Sequence, residues 1–347
     1  MAPEIRRSLV LHSRLRRDPH ALLRRMLDRI PPGTEPDAPV EELETRIAEL
    51  LGKPAALFFP SGTMAQQTAL RVHADRTGRR TFAAHPQNHV TLWEQQGYSA
   101  VHHLVHRPVG DPHGLITLAD LGQVREPLSA LLLELPQREI GGLLPTWDEL
   151  EAQTGWARER GAAAHLDGAR LWEAQPFYGR PHAEIAALFD TVYVSLYKAV
   201  EGVRGAILAG DRETMDVASV WRTRLGGALP DAWPLAVAAL VGLEETLPRM
   251  GEFLDHARAV AAAINADGYA RTNPEVPQTP LFHIHLPAAG EAVSAAARRI
   301  LDETGVQLPS HARAASEPGR SSIEVTIGVT ALEVTPEEVA ELVRRLR

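Results

Sequence analysis

Between residues 40 and 51 the apolar positions Val40, Leu43, Ile47 and Leu51 recur at helical spacing. They predict a helix that Gly52 closes. Beyond it, short apolar runs alternate with amphipathic ones. Ala55–Phe59 reads as a strand, followed by a Ser-Gly-Thr turn and a helix through about His73. Further strands are predicted over Thr81–Ala84, Ser99–Val105, Ala130–Leu135, Ala162–Leu166, Thr191–Leu196 and Gly205–Ala209. Helical stretches separate several of them, most clearly Trp147–Arg160. Runs that are apolar on both faces, interleaved with helices, call for an α/β fold: a mixed, mainly parallel sheet covered on both sides.

After Gly251 the pattern changes. Phe253–Ala266 reads as a helix stopped at Gly268, Leu281–Leu286 as a strand, Glu291–Thr304 as a helix and Ser322–Ile327 as a strand. A final helix opens on Thr335-Pro336-Glu337-Glu338, with a capping box and a proline in the first turn. This is a small α+β unit. The first thirty residues read as helical, and the basic stretch Arg6 to Arg29 as an amphipathic helix with a solvated face, ending at Pro31-Pro32-Gly33-Thr34. The expected division is 1–39 as an N-terminal segment packing with the small domain, 40–250 as the large domain and 251–347 as the small C-terminal domain.

Composition narrows the function classes. The chain has 347 residues, 44% hydrophobic and 23% charged, with a formal charge of −8. A mildly acidic chain gives no electrostatic reason to bind nucleic acid or an anionic membrane. No run is long and apolar enough to span a bilayer, and no secretory apolar core follows Met1, so the expectation is a cytoplasmic protein. The absence of cysteine excludes disulfides, thiolate catalysis and Cys-ligated zinc. His102, His103, His106, His283 and His285 place no third ligand beside any pair, so no metal site is expected.

Three junctions carry candidate chemistry. Pro60-Ser61-Gly62-Thr63 lies between a strand and a helix, where exposed N–H groups and the helix dipole favour an anion. The same composition also suits an ordinary helix cap. In Ala164-His-Leu-Asp167-Gly-Ala-Arg170 an acidic residue ends an apolar strand, facing the crevice where ligands bind in such sheets. It can hold a pyridinium nitrogen protonated, or simply cap a helix. In Val192-Tyr-Val-Ser-Leu-Tyr-Lys198 another apolar strand ends at a lysine, in a chain where lysine is rare. A partly desolvated lysine is suited to Schiff-base formation, although a surface lysine in a loop is commonplace.

The order phosphate turn, aspartate, lysine resembles that of the fold-type I pyridoxal phosphate (PLP) enzymes, and more closely the threonine aldolase, or β-eliminating lyase, family. The resemblance spans roughly positions 52 to 230. It is carried by Phe59-Pro-Ser-Gly-Thr-Met-Ala65, Asn88-His89 with Glu94-Gln-Gln-Gly97, His165-Leu-Asp-Gly-Ala-Arg170, Ser195-Leu-Tyr-Lys198, and Trp221-Arg222 with Gly226-Gly227. It implies a PLP-dependent transferase-like fold and PLP bound as a Schiff base to Lys198. It further implies Asp167 against the pyridine nitrogen, His89 stacked on the ring and available as a base, and Ser61, Gly62 and Thr63 on the phosphate. Arg170 would bind the substrate carboxylate, with Arg320 as the late arginine of that site. The implied protein is a homodimer or homotetramer acting on a small amino acid.

The implied reaction is retro-aldol cleavage of a threonine-like β-hydroxy-α-amino acid to glycine and an aldehyde. The chain departs from the family pattern in four places. Ser8-Leu9-Val10 stands where an Arg-Ser-Asp-Thr motif is usual. Glu134-Leu-Pro-Gln137-Arg138-Glu139 replaces Glu-Asn-Thr-His and so lacks a second histidine. Tyr197 precedes the lysine in place of a small hydroxyl residue, and Thr223, with Arg224 close by, replaces a lysine near Trp221. These changes leave PLP-dependent β-elimination open as the alternative, ahead of a non-catalytic binding protein of the same fold.

Overall fold

A computed structural model describes residues 4–347 other than 12, 14, 16, 17, 316 and 317. The chain forms two compact units. One comprises Met26–Glu139 and Leu144–Leu243; the other comprises Met1–Arg25, Ile140–Leu143 and Glu244–Arg347.

The larger unit is built on seven strands: β1 (Ala55–Phe59), β2 (Thr81–Ala84), β3 (Val105–Pro108), β4 (Ala130–Glu134), β5 (Ala163–Gly168), β6 (Thr191–Ser195) and β7 (Ala206–Gly210). Their spatial order is β1-β7-β6-β5-β4-β2-β3. β7 runs antiparallel to both neighbours, and the remaining pairs are parallel. Every residue of β6 and β7 is buried, as strands covered on both faces require.

The helix α1 (Gly62–Thr77) packs on the sheet on two sides at once. Ala65 and Ala69 lie with Phe59, Tyr193 and Leu208, while Leu70 and Ala74 lie with Phe82, Leu104 and Leu132. A helix buried over so wide an arc also buries polar side chains, and three of them, Gln66, Gln67 and His73, find side-chain partners. Thr191 Oγ1 is 2.8 Å from His73 Nε2 and 2.8 Å from His165 Nδ1, and His165 Nε2 is 2.6 Å from Gln66 Oε1. Leaving one such buried group without a partner costs about 1–3 kcal/mol.

The sequence places a strand over Ser99–Val105, but the structure places it later. Gln95 and Gln96 adopt left-handed backbone, with φ of 50° and 55°. The N–H groups of Ser99 and Ala100 then close on the Gln96 carbonyl as a helical turn, and only at Val105 does the backbone reach across to Arg80.

In the smaller unit β8 (Arg271–Asn273), β9 (Leu281–Leu286), β10 (Arg313–Ala314) and β11 (Ser321–Thr326) form an antiparallel sheet in the order β10-β11-β9-β8. Its helices are Met250–Asp267, Gly290–Thr304 and Pro336–Arg344. The last is capped by Thr335, which accepts from the Glu338 N–H. The expected helix through the first thirty residues is corrected. Arg7–Ser8 is extended and pairs in parallel with Val306–Gln307. The N–H groups of Arg6 and Leu9 bond to the carbonyls of Gly305 and Gln307, and the Arg7 guanidinium makes two bonds to Glu338, at 2.6 and 2.7 Å. The helix begins only at Pro19, where Asp18 accepts from the Ala21 N–H. Positions 12, 14, 16 and 17 of that expected helix lie outside the described residues.

The two imidazoles on Thr191 are neutral in the folded chain. Burial lowers His73 to about 4 and His165 to about 3. Unfolded, each takes up its proton near pH 6.5. The unfolded state therefore binds more protons below that pH, and stability present above it is lost as pH falls towards 4. The slope is about 1.4 kcal/mol per pH unit for each histidine. Urea midpoints measured from pH 7.5 to 5 should fall accordingly. The His73→Gln, His165→Gln double variant should show a shallower dependence, and an equally steep one would contradict this account.

Candidate active site

Six of the seven strands point the same way, so the segments that follow them leave from one edge of the sheet. At that edge β1 delivers Ser61, Gly62 and Thr63, and β2 delivers the turn bearing His89. β4 ends at Glu134, β5 at Asp167 and Gly168 with Arg170 beyond, and β6 leads to Lys198. The topology alone thus gathers most of the residues singled out in the sequence.

At the first junction Ser61 is the cap of α1. Its Oγ accepts from the Met64 N–H at 3.2 Å, and its carbonyl accepts from Ala65. The N–H groups of Gly62 and Thr63 remain at the open end of the helix, as an anion site needs. Gly62 is there for space: a Cβ on it would stand 2.1 Å from the Tyr193 hydroxyl.

Asp167 is 1% exposed, and its Oδ1 accepts from the Ala169 N–H at 3.1 Å. In register beside it stand Glu134 on β4 and Tyr193 on β6. Register partners on neighbouring parallel strands present their side chains to the same face. Glu134, Asp167 and Tyr193 therefore form a row. Burial first, and then Asp167, pushes the Glu134 carboxyl up and the Tyr193 phenol further above its usual value.

The end of β6 is held rigidly. Ser195 Oγ donates to the Ala169 carbonyl at 2.6 Å, and the Trp172 indole donates to the Ser195 carbonyl at 3.2 Å. The loop after Lys198 closes through Glu201 N–H to the Lys198 carbonyl and Gly202 N–H to the Leu196 carbonyl. A Cβ on Gly202 would lie 2.3 Å from that same Leu196 oxygen. Lys198 thus projects from a fixed backbone. Burial and the Arg170 charge lower its pKa to about 8, with Asp167 and Glu134 pulling the other way.

His89 opens a short helical turn capped by Asn88. Its Nδ1 is 3.1 Å from Glu94, a buried carboxylate that also accepts from Gln67 Nε2 at 2.9 Å. A carboxylate at Nδ1 fixes the proton there and turns Nε2 into the acceptor. Burial acts to lower the His89 pKa, but the Glu94 bond and the charge of Asp167 outweigh it, and the net direction is upward. Arg170 is 7% exposed and binds Glu173 through Nη1, at 2.7 and 3.0 Å. Arg320 belongs to the smaller unit, where it is exposed just before β11 and its charge helps to lower the His285 pKa, after burial.

Sequence reading singles out neither Glu134 nor Tyr193 as a site residue. Glu134 carries the same signal as Asp167, an acid ending an apolar strand. Tyr193 sits inside an apolar strand and is indistinguishable there from core. Glu94 is quoted in the resemblance with no role attached.

The family model described as β-eliminating lyase matches residues 33–286. The low-specificity L-threonine aldolase 1 of Arabidopsis thaliana is 27% identical over 282 residues, 78% of this chain and 78% of its own. The crystal structure of a candidate L-allo-threonine aldolase from Listeria monocytogenes has 38% identity and a TM-score of 0.91, over 99% of this chain and 96% of its own. A structure from Exiguobacterium sp. 255-15, titled as a candidate aromatic amino acid β-eliminating lyase/threonine aldolase, has 35% identity and a TM-score of 0.90, over 99% and 97%.

The closeness of Gly62 to Tyr193 yields a test. Gly62→Ala should destabilise the chain by about 1–3 kcal/mol through overpacking. Adding Tyr193→Phe removes the nearest atom but leaves ring carbons at 2.7 and 3.1 Å, so it should restore only part of the loss. Additive losses in a double-mutant cycle followed by urea unfolding would show that the two side chains do not meet.

Proposed function

The chain belongs to the β-eliminating lyase family, and from that membership we propose that it cleaves a threonine-like β-hydroxy-α-amino acid to glycine and an aldehyde, with PLP as cofactor. The observation that carries this reading is the single sheet edge. It brings a helix N-terminus, a buried aspartate, a lysine of lowered pKa and a histidine held by a carboxylate to the same crevice.

The donor set fits PLP. The open N–H groups of Gly62 and Thr63, with the Ser61 and Thr63 hydroxyls, suit a phosphate, and the glycine keeps that cradle free of a Cβ. Asp167 suits the pyridine nitrogen, Lys198 the covalent attachment, and His89 the face of the ring. Bound there, PLP supplies an electron sink for the pair released when a bond to Cα breaks. The protein's part is to orient and to move protons. Arg170 takes the substrate carboxylate, for which a guanidinium fork is suited. His89 Nε2, made an acceptor by the Glu94 bond at Nδ1, takes the β-hydroxyl proton as the Cα–Cβ bond breaks and the aldehyde carbonyl forms. A proton delivered to Cα completes glycine. Burial keeps a larger share of Lys198 unprotonated at neutral pH than an exposed lysine would have.

One observation favours β-elimination as the second reading. Gln137 stands where the family has its second histidine, and its Nε2 bonds to the Gln87 carbonyl at 3.1 Å and Glu134 at 3.3 Å. Lys198 would then serve as the base for the α-proton. The homodimeric or homotetrameric state and the cytoplasmic location are further parts of this reading. Half-exposed Trp93, Val101 and Val105 support a partner subunit. Among the described residues no helix is long and apolar enough to cross a membrane.

Purified holoenzyme should release glycine and an aldehyde from L-threonine, L-allo-threonine or L-phenylserine. His89→Asn should lower kcat by about 10²-fold, the range expected for loss of a general base. Ammonia and pyruvate from serine or cysteine, with no aldehyde from the first group, would replace the aldolase reading with β-elimination. Borohydride reduction should fix the cofactor to Lys198, and a pyridoxyl group mapped elsewhere would remove the basis of both.

A further inference from the structure

We propose that Glu134 is a positioning residue of this site: its two carboxylate oxygens pin the turn that carries His89 to the strand end that presents Asp167. The inference rests on the reading of this sheet edge as the cofactor crevice.

Glu134 is the last residue of β4 and lies in register with Asp167, where the Leu135 N–H also bonds to the Asp167 carbonyl at 3.0 Å. Two acidic groups side by side in a desolvated row disfavour each other's ionisation, so the arrangement is unfavourable unless the oxygens are needed. They serve three donors. Oε2 accepts from the His89 backbone N–H and from Gln137 Nε2, and Oε1 accepts from the Arg138 backbone N–H, each at 3.3 Å.

The His89 N–H is the telling one. It belongs to the first turn of a helix, where no intrahelical acceptor exists. Asn88 caps that turn, but its Oδ1 accepts from the Thr91 N–H at 3.1 Å. Glu134 supplies the acceptor that the cap leaves out. Gln137 reinforces the tie by donating to the Gln87 carbonyl. The loop after β4 is thus laced to residues 87–89 at two points. His89 is then held twice, at its backbone by Glu134 and at Nδ1 by Glu94. The distance from the His89 ring to Asp167 is set through Glu134. Because donors meet both oxygens, glutamine is no equivalent: its amide turns one acceptor into a donor aimed at another N–H.

The test compares wild type, Glu134→Gln and Glu134→Asp as full-length holoenzymes. In Glu134→Gln, hydrogen exchange at the His89 amide should rise by about tenfold, as for loss of one net hydrogen bond. The visible circular dichroism of the bound cofactor should weaken. Its kcat should fall by about 10²-fold with KM changed far less, as for a displaced catalytic group. Glu134→Asp keeps the carboxyl group with both of its oxygens and should recover part of each effect. Unchanged exchange at His89 together with an unchanged dichroic band would overturn the proposal, as would a loss confined to the unfolding midpoint. If Glu134→Gln does not fold, the same readouts on Glu134→Asp decide the matter. Failure of borohydride to attach the cofactor to Lys198 in wild type would overturn the cofactor reading. The exchange at His89 would still report whether Glu134 holds the turn.

Discussion

Parallel strands cannot be joined by a tight turn. Each must return to the start of the next through a crossover, and that constraint governs this molecule. Six strands of common direction leave their carboxyl ends along one edge, so residues far apart in sequence, from Ser61 to Lys198, meet there. The one reversal has a local use. β6 and β7 are antiparallel neighbours, so the loop between them is short and can be locked by bonds such as Gly202 to Leu196. Lys198 is carried by that loop. A side chain on a long crossover would lack the same fixed backbone.

Crowding the edge with ends of buried strands concentrates charge. Arg170 and Lys198 are positive; Glu134, Asp167, Glu94 and Glu173 are acidic, and several are almost inaccessible to water. Their charges answer one another: Arg170 to Glu173, His89 to Glu94, and Lys198 to Asp167 and Glu134. Desolvation makes each of these groups costly alone, and the mutual pairing makes them tenable together. The crevice is best regarded as one electrostatic unit, in which the charge of Asp167 bears on the proton affinity of His89, Glu134 and Lys198, and that of Arg170 on Lys198.

Much of this was legible in the sequence. Thr81–Ala84 and Leu281–Leu286 are strands at the expected bounds, because apolar runs between turn formers leave little freedom. Asp167 and Lys198 are conspicuous in the sequence because each is a charge at the end of an apolar strand. Where the structure departs from the sequence pattern, nonlocal partners are responsible. Arg7 is extended because Gly305 and Gln307 accept its neighbours' N–H groups and Glu338 binds its side chain, and none of these is near in sequence. Ser99–Val105 reads as a strand, yet two left-handed glutamines just before it curl its start into a turn. Glu134 ends an apolar strand as Asp167 does, but its partners are the backbone N–H groups of His89 and Arg138, which no residue type advertises. Tyr193 escapes notice because its partner is the absence of a side chain at Gly62.

The bonds around Thr191 have a polarity. With the Gln66 oxygen accepting, His165 must donate from Nε2 and accept at Nδ1; the Thr191 hydroxyl then donates to His165 and accepts from His73. Every proton in the series is oriented by the one before it. Gln66 and His73 sit on α1, His165 and Thr191 on adjacent strands. The series therefore works as a key that only one seating of the helix on the sheet will fit. The same seating fixes where the first turn of α1 opens. A sequence drifting at any of these four positions meets a mismatch at the next, so they are expected to change as a set, and the placing of that open first turn is guarded by side chains lying about one and three turns further along the helix.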